Sequence, residues 1–317
     1  MDEANDAPVV SATDLTRRFK TVTAVDGLQL AVQRGEIFGL IGPDGAGKTT
    51  TLRLLAALMR PTAGRASVFG FDTVRQAEAI RRSIGYMPQK FSLYADLTVA
   101  ENLGFFADIF GVRGPERRPR IDRLLHFARL GEFTRRRAGA LSGGMQKKLA
   151  LACTLVHAPP VIFLDEPTTG VDPISRREFW DILADLHAGG VTIFISTPYM
   201  DEAERCSRVG LMYEGRLIEC ASPDELRRNT RGELLAVSTP QVLAGRDALQ
   251  AALLPGVVEV QVYGDVLHVF VDDADAAEPG LAALFARAGI PVTAMRRTTP
   301  RVEEAFISLI RAAKEGA

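Results

Sequence analysis

The sequence predicts an α/β fold with a largely parallel sheet, followed by a smaller α+β unit. Short apolar runs rich in Val, Ile and Phe alternate with helical stretches as far as residue 220, the pattern of a parallel sheet covered by helices. A glycine-rich turn joins one of these runs to a helical stretch. The pattern changes near Ser222, where Pro and polar residues interrupt the alternation.

The elements follow in chain order. The clearest predicted strands are residues 37–41, 161–164, 191–196 and 209–213, and the predicted helices are residues 49–59, 120–128, 143–156, 175–187 and 200–206. Residues 113–120 are charged and interrupted by proline, so we expect a solvent-facing loop there.

Beyond the change of pattern, four strands are predicted at residues 234–238, 257–262, 266–271 and 292–296. With the intervening helices they give the order β-α-β-β-α-β, which is that of a ferredoxin-like unit, closed by an amphipathic helix at residues 302–312. We therefore expect two domains, residues 1–225 and residues 226–317.

Composition narrows the class of protein. The 317 residues carry 38 basic and 39 acidic side chains, a net charge of −1, which argues against a nucleic-acid partner bound by bulk electrostatics. Three cysteines without C-x-x-C spacing are typical of reduced thiols. The acidic start of the chain is unlike a secretory leader, and no apolar run is long enough to cross a bilayer.

Residues 42–49, Gly-Pro-Asp-Gly-Ala-Gly-Lys-Thr, fit the phosphate-loop pattern G-x-x-x-x-G-K-[ST]. Glycines let backbone N–H groups turn toward phosphate oxygens, and the next helix adds its positive end. Lys48 is expected at the β- and γ-phosphates, and the Thr49 hydroxyl on Mg²⁺. The alternative is a glycine-rich β-α turn with an incidental lysine. The candidate ATP-binding residues here are Gly42, Pro43, Asp44, Gly45, Ala46, Gly47, Lys48, Thr49 and Thr50.

An acidic pair follows the predicted strand at residues 161–164. Asp165 and Glu166 stand at its carboxyl end, where open α/β sheets bind ligands. We expect Asp165 to hold Mg²⁺ and Glu166 to act as the general base for the attacking water. Alone, such a pair is a commonplace strand-end cap. Beside a phosphate loop it indicates nucleotide hydrolysis.

Residues 141–150, Leu-Ser-Gly-Gly-Met-Gln-Lys-Lys-Leu-Ala, predict a second anion-binding helix end. Ser142 is a good N-cap, and Gly143 and Gly144 allow backbone N–H groups to approach an anion. The alternative is an ordinary capped helix on which Lys147 and Lys148 are solvated.

This stretch closely resembles the signature of ABC transporter ATPases, and the resemblance covers roughly residues 8–225. It implies a P-loop NTPase of ABC type in which the signature completes the site of the opposing subunit. The signature residues are Leu141, Ser142, Gly143, Gly144, Met145 and Gln146.

The resemblance extends to three isolated positions. Phe19 resembles the aromatic residue that stacks on adenine, although a core aromatic at a strand edge is a serious alternative. Gln89 resembles the glutamine that senses Mg²⁺ and the water. Asp172 resembles the loop residue that crosses between the two ATPase subunits.

Two segments narrow the family. Residues 93–103 and 299–306 resemble the drug and antibiotic exporters of ABC-2 type, especially the first half of tandem-ATPase multidrug exporters. Only one ATPase unit is present, so the resemblance implies that a partner supplies the second.

One position departs from the family pattern. Pro198 follows the predicted strand at residues 191–196, where members usually carry a histidine that contacts the γ-phosphate. Proline has neither a side-chain donor nor a backbone N–H, so hydrolysis at this chain's own phosphate loop is expected to be weakened. Asp44 is a smaller departure, since asparagine is common there.

The resemblance implies an ATPase, binding ATP and Mg²⁺, that acts as the energy-coupling subunit of an exporter. It would dimerise with a second ATPase subunit, as homodimer or heterodimer, and drive a separate integral membrane permease from the cytoplasmic, inner face of the cell membrane. The alternatives are a soluble ABC ATPase without a transport role, or a nucleotide-binding regulatory partner that does not hydrolyse ATP.

Overall fold

The computed structural model describes residues 7–90, 93–228 and 232–315. The acidic start of the chain, and Phe91 and Ser92 of the segment after Gln89, lie outside the described residues. The chain divides into two compact units, residues 1–222 and residues 223–317.

The first unit contains an antiparallel sheet and a mostly parallel one. The antiparallel sheet has the order β2-β1-β4-β5. Its strands are β1 (Val10–Phe19), β2 (Val22–Val32), β4 (Ala63–Val68) and β5 (Phe71–Asp72). This sheet was not predicted from the sequence.

The central sheet has six strands in the order β10-β9-β3-β8-β7-β6, and all its pairings except β10 with β9 are parallel, as predicted. The strands are β3 (Ile37–Ile41), β6 (Ile84–Met87), β7 (Val161–Asp165), β8 (Thr192–Thr197), β9 (Arg208–Tyr213) and β10 (Arg216–Ala221). Every residue of β3, β7 and β8 is buried, which explains why these apolar runs are continuous.

The described residues of the first unit also form six α-helices: α1 (Lys48–Leu55), α2 (Ala77–Ser83), α3 (Val99–Ile109), α4 (Arg117–Phe127), α5 (Gly143–Thr154) and α6 (Pro173–Ala188). The core beside α1 includes Phe38, Phe163 and Phe194, whose neighbouring ring centroids lie 5.1 and 5.5 Å apart.

Three local predictions were wrong. The helix expected to reach residue 59 ends at Leu55, because Ala57 takes a left-handed conformation with φ of 55°. The loop expected at residues 113–120 is instead a 3₁₀ turn, Gly114–Glu116, followed by the start of α4. Pro119 is tolerated in the first turn of α4, because the N–H groups of a first turn have no partner within the helix. The helix expected at residues 200–206 is a 3₁₀ helix, Met200–Arg205.

The second unit has the predicted ferredoxin-like order. Its elements are α7 (Pro223–Arg228), β11 (Glu233–Ser238), α8 (Val242–Ala252), β12 (Val257–Tyr263), β13 (Val266–Val271), α9 (Ala274–Arg287), β14 (Ala294–Thr298) and α10 (Val302–Glu315). The sheet order is β12-β13-β11-β14, with every pairing antiparallel. Its core includes Leu249 of α8 and Phe285 of α9.

Candidate functional site

The phosphate loop is the turn between β3 and α1, at the carboxyl edge of the parallel sheet. Gly47 has φ of 106°, a conformation that favours glycine. A Cβ at this position would lie 2.2 Å from the carbonyl oxygen of Ala24 in β2, and a Cβ at Gly42 would lie 2.1 Å from that of Met212 in β9. Glycine is therefore needed at both positions so that the loop can pack against these two strands.

Lys48 is the first residue of α1 and points back into the loop. Its Nζ donates hydrogen bonds to the carbonyl oxygens of Gly42, at 2.8 Å, and Pro43, at 3.0 Å. The same Nζ lies 3.5 Å from Oε1 of Glu166, and only 3% of Lys48 is exposed. A buried ammonium is thus held at the centre of the loop, which is the position needed to bind phosphate oxygens.

Asp165 ends β7 and is fully buried. Its Oδ1 accepts hydrogen bonds from the Thr49 hydroxyl, at 2.8 Å, and the Ser196 hydroxyl, at 2.9 Å. Its Oδ2 is buried and has no hydrogen-bond partner within the described residues. An unpaired buried carboxylate oxygen is costly, and oxygen atoms are the ligands that Mg²⁺ prefers. The Asp165 carboxylate and the Thr49 hydroxyl therefore fit a magnesium ion.

Burial raises the pKa of the neighbouring tyrosine, Tyr86 on β6, and the charge of Asp165 raises it further. The phenol therefore stays neutral beside the carboxylate.

Glu166 follows β7 directly and has φ of 46°, a left-handed conformation that is uncommon outside glycine. Its N–H donates to the carbonyl oxygen of Ser196 at 3.1 Å. Oε2 accepts hydrogen bonds from Nε2 of Gln89, at 2.6 Å, and from the Thr169 hydroxyl, at 3.3 Å. The turn therefore aims a nearly buried carboxylate toward the lysine of the phosphate loop, with the predicted Gln89 beside it.

Lys147 of α5 also reaches this cluster. Its Nζ donates to the backbone carbonyl oxygen of Gln89 at 2.7 Å. Burial lowers the pKa of Lys147, while the nearby charges of Glu166 and Asp165 act to raise it. This lysine is half-buried instead of solvated, and the next one, Lys148, is buried with its Nζ 2.6 Å from Oε2 of Glu178.

The signature residues form the N-terminal end of α5. Ser142 is the N-cap, and its Oγ accepts from the Met145 N–H at 3.3 Å. Ser142 and Gly143 are exposed, whereas Leu141 is buried. Within the described part of the chain, no hydrogen bond or ion pair joins Ser142 to the phosphate loop. The exposed helix end is therefore open to an anion from outside this subunit.

The predicted loop at Asp172 lies beside the signature. Asp172 caps α6, and its Oδ1 accepts from the N–H groups of Ser175, at 2.9 Å, and Ile174, at 3.1 Å. The bond from Ser175 contributes most to lowering the pKa of Asp172. A Cβ at Gly144 would lie 2.5 Å from that of Ser175, so the two helix ends are in close contact, with Ile174 75% exposed next to them.

Pro198 lies half-buried just after β8. The turn around it is held by the Tyr199 N–H, which donates to the Thr197 hydroxyl at 3.1 Å. Arg176 of α6 holds the same turn, since its guanidinium lies 4.9 Å from the Tyr199 ring centroid and pairs with Asp201 at 2.6 Å.

Two histidines make contacts within their own units. His157 stacks on Phe110, with ring centroids 3.8 Å apart. His268, in the second unit, contacts the buried Glu304, with Nδ1 2.5 Å from Oε1.

Phe19 ends β1 and is 39% exposed. It is paired across the strands with Val22, two residues before the Ala24 carbonyl that packs against Gly47. The Arg17 guanidinium lies 4.5 Å from its ring centroid. The side chain therefore sits on the hairpin that borders the phosphate loop, and its stacking on adenine stays a prediction.

Ser196 is a functional residue that was not predicted from the sequence. Its hydroxyl donates to the carboxylate of Asp165 and accepts from the N–H of Glu166 at 3.1 Å, and its carbonyl oxygen accepts from the same N–H. A signal was available, because residues 191–196 were predicted as a parallel strand, whose last residue lies at the same edge as Asp165.

The described residues hold no group of three or more His, Cys, Asp or Glu side chains suited to a metal ion. No helix among them has both the length and the apolar character to cross a membrane.

A protein-family profile described as ABC transporter matches residues 25–169. The chain is 44% identical over 315 residues to the probable multidrug ABC transporter ATP-binding protein YbhF of Escherichia coli (strain K12), covering 96% of this chain and 52% of YbhF. The chain thus spans about half the length of this relative. It is also 38% identical over 295 residues to the daunorubicin resistance ATP-binding protein DrrA3 of Streptomyces coeruleorubidus, covering 92% and 93% of the two chains.

Solved structures of ABC ATP-binding cassettes are also similar to this chain. An ATP-binding subunit of an ABC transporter matches with a TM-score of 0.63 and 30% identity, covering 69% of this chain and 92% of its own. The dimeric cassette MJ0796, bound to ADP and phosphate in a post-hydrolysis state, matches with a TM-score of 0.62 and 29% identity, covering 67% and 98%. The sequence and the fold agree that the chain belongs to the family of ABC transporter ATP-binding proteins.

Proposed function

We propose that this chain is the ATP-binding, energy-coupling subunit of an ABC exporter that drives a separate membrane permease. Residues 1–225 would form the ATPase domain and residues 226–317 an accessory domain. The observation that carries the proposal is the convergence of Lys48, Thr49, Asp165 and Glu166 at one edge of the parallel sheet. This set contains the charge, the hydroxyl and the two carboxylates that nucleotide hydrolysis requires.

Each residue of the set has a distinct part. Lys48, freed from the carbonyl oxygens of its own loop, binds the β- and γ-phosphates of ATP. Thr49 and Asp165, with Gln89, would hold Mg²⁺, which would supply positive charge to the phosphate oxygens. Glu166 accepts the proton of the attacking water, and Gln89 fixes the orientation of its carboxylate through the 2.6 Å hydrogen bond.

The second half of each nucleotide site comes from the opposing subunit. The exposed Ser142 and Gly143 end of α5 offers N–H groups and the positive end of the helix to a γ-phosphate bound by the partner. Asp172, beside it, lies where a crossing loop would meet the partner. The dimeric state of MJ0796 supports this arrangement.

The proposed role in export and the proposed association with a membrane are supported by the names of the similar proteins. YbhF, DrrA3 and the Nod factor export ATP-binding protein I of Burkholderia thailandensis are named for multidrug transport, daunorubicin resistance and export. We therefore propose a peripheral position on the cytoplasmic face of the cell membrane, an integral membrane permease as partner, and no nucleic-acid ligand.

Pro198 favours a second candidate function, that of a nucleotide-binding partner with little turnover of its own. Losing one donor that stabilises a transition state costs about 10²–10³ in rate. Replacing Pro198 with His tests this. We expect a gain in ATPase activity of the purified protein, and no gain would show that Pro198 is not the limiting defect.

Nucleotide titration tests the main proposal. A fluorescent ATP analogue is titrated into the wild-type chain and the Lys48→Ala variant, with and without Mg²⁺. We expect Mg²⁺-dependent binding by the wild type and a loss of at least tenfold in the variant. Co-purification from membranes should bring down a multispan protein. Absence of nucleotide binding in the wild type would refute the ATPase assignment, and binding without a membrane partner would refute the transport role alone.

A further inference from the structure

Lys147 has a contact that the proposed reaction does not yet explain. It lies on α5, five positions after the N-cap Ser142, so it shares a short rigid helix with the signature. Its Nζ reaches out of that helix to the backbone carbonyl oxygen of Gln89, at 2.7 Å. The contact joins residues 58 positions apart in the sequence.

The hydrogen bond from Lys147 is important because the side chain of the same Gln89 contacts Glu166. Its side-chain Nε2 donates to Oε2 of Glu166 at 2.6 Å. Lys147 therefore fixes the main chain from which this amide projects, and the amide meets the carboxylate proposed as the general base. The geometry forms a continuous path from α5 to Gln89 and then to Glu166.

Charge and burial show that this path is more than a surface contact. Lys147 is half-buried, and the carboxylates of Glu166 and Asp165 act on it electrostatically. Burying part of an ammonium group is costly unless it is hydrogen-bonded and near opposite charge, and both conditions hold here. Lys90, which is also next to Gln89, is exposed and has no ion pair or side-chain hydrogen bond within the described residues.

We infer that Lys147 is a positioning residue that holds Gln89 against Glu166 and thereby links the signature helix to the catalytic carboxylate of its own chain. This inference rests on the proposed ATPase function. Because Ser142 and Gly143 would bind the partner's nucleotide, any shift of α5 on dimer closure is transmitted through Lys147 to the Gln89 main chain. Each subunit then adjusts its own general base to the state of the opposite site.

The test compares Lys147→Met, which keeps the aliphatic stem but removes the donor and the charge, with Lys147→Arg, which keeps both. Lys90→Met is the matched control, because it makes the same substitution at the residue next to Gln89. Hydrogen–deuterium exchange in the nucleotide-free protein is the first measurement. We expect faster exchange of the segment around Gln89 in Lys147→Met, and wild-type exchange in Lys147→Arg and Lys90→Met.

Single-turnover hydrolysis, with the protein in excess over Mg-ATP and well above its dissociation constant, is the second measurement. We expect Lys147→Met to slow the hydrolytic step about tenfold to a hundredfold, the scale of a misplaced catalytic group, while ATP affinity changes less than twofold. Lys147→Arg should restore most of the rate. An affinity loss equal to the rate loss, or failure of arginine to restore the rate, would show a merely structural role and overturn the inference.

The exchange measurement separates the inference from the proposed function. If the wild type binds no ATP, the proposed function fails, yet the contact between Lys147 and Gln89 can still be scored from the exchange data. If ATP binds but Lys147→Met matches Lys90→Met in both measurements, the positioning role alone is refuted.

Discussion

Ser196 joins the two acidic residues of the site, and its hydroxyl can be removed with little change in shape. Ser196→Ala removes the hydrogen bond to Oδ1 of Asp165, which is 2.9 Å long and fully buried. The N–H of Glu166 keeps its other partner, the carbonyl oxygen of Ser196 at 3.1 Å, so no new backbone donor is orphaned. Oδ1 of Asp165 still accepts the hydrogen bond from the Thr49 hydroxyl in this variant. The loss is therefore that of one hydrogen bond to a charged group, together with the hydroxyl's share of the Glu166 N–H, which donates to Oγ of Ser196 at 3.1 Å as well as to its carbonyl oxygen.

A buried hydrogen bond to a charged group contributes about 1.5–3 kcal/mol, so we expect the free energy of unfolding of the first unit to fall by about this amount. Groups that orient a metal ligand typically change metal affinity by about 10–100-fold when removed. We therefore also expect the Mg²⁺ concentration for half-maximal ATP binding to rise about tenfold or more, with a smaller effect on binding without Mg²⁺.

Trp180 makes the stability measurement specific. It is the sole tryptophan of the chain and lies 97% buried in α6, so its fluorescence reports unfolding of the first unit during a urea titration. ATP binding is followed with a fluorescent analogue over a series of Mg²⁺ concentrations.

Ser11→Ala is the control for this experiment. The Ser11 hydroxyl bonds the Ser67 hydroxyl at 2.8 Å across two antiparallel strands, so the control removes one neutral hydrogen bond away from the site. It should lower stability by about 1 kcal/mol and leave the Mg²⁺ dependence unchanged. If Ser196→Ala behaves like Ser11→Ala in both measurements, the proposed role of Asp165 as an oriented Mg²⁺ ligand is wrong.

Two further predictions concern the fold around the site. Burial lowers the pKa of His157 below its usual 6.5; Nε2 donates to the Ile84 carbonyl, and Nδ1 is buried without a partner among the described residues. The stability that the neutral ring contributes is therefore present above pH 6.5 and is lost as the pH falls, so His157→Gln should show a smaller drop in melting temperature between pH 7 and pH 5. An equal drop would contradict this. Gly47→Ala should lower the free energy of unfolding of the nucleotide-free protein by several kcal/mol in urea titrations, because the new methyl group clashes with the carbonyl oxygen of Ala24. Gly45→Ala is the control: Gly45 has φ of 81° but open space around it, so this variant should lose only about 1–2 kcal/mol. Equal losses would show that the clash at Gly47 relaxes.

The phosphate loop and the parallel strands were predictable because their signals are local. Ile37–Ile41 and Val161–Asp165 are buried on both faces, so each is a continuous apolar run that ends at a chemically distinctive group. The glycines needed at Gly42 and Gly47 lie inside one short motif. Because the carboxyl ends of parallel strands meet at one edge of a sheet, the fold class alone was enough to predict that Lys48 and Asp165 lie at the same edge.

The antiparallel sheet was not predictable in the same way. Strand β1, Val10–Phe19, has no clean alternation of apolar and polar residues, because its pairing with β2 shifts register three times and Asp14 takes a left-handed conformation with φ of 50°. Such irregularities move side chains between the two faces of a sheet, and the alternation on which strand prediction depends is lost.

The contacts of Ser196 and Lys147 depend on information that a single sequence does not contain. Asp165 and Ser196 are directly paired between β7 and β8, and a slip of one residue would turn the hydroxyl to the other face of the sheet. From the sequence, Lys147 could be interpreted as a solvated lysine on the helix surface. Helix periodicity alone cannot show that its Nζ reaches the backbone carbonyl oxygen of Gln89.

The two halves of the proposed nucleotide site are joined within each subunit by two short routes. One is the segment from Glu166 to Asp172, which runs from a nearly buried carboxylate at the phosphate loop to an exposed helix cap beside the signature. The other is the contact between Lys147 and Gln89. Pro198 lies on neither route. Its effect should therefore be confined to this chain's own phosphate loop, while the Ser142 end stays able to complete a partner's site. In a homodimer both sites would be slow, whereas a heterodimer with a competent second subunit would keep one fast site, built from that subunit's phosphate loop and this chain's signature.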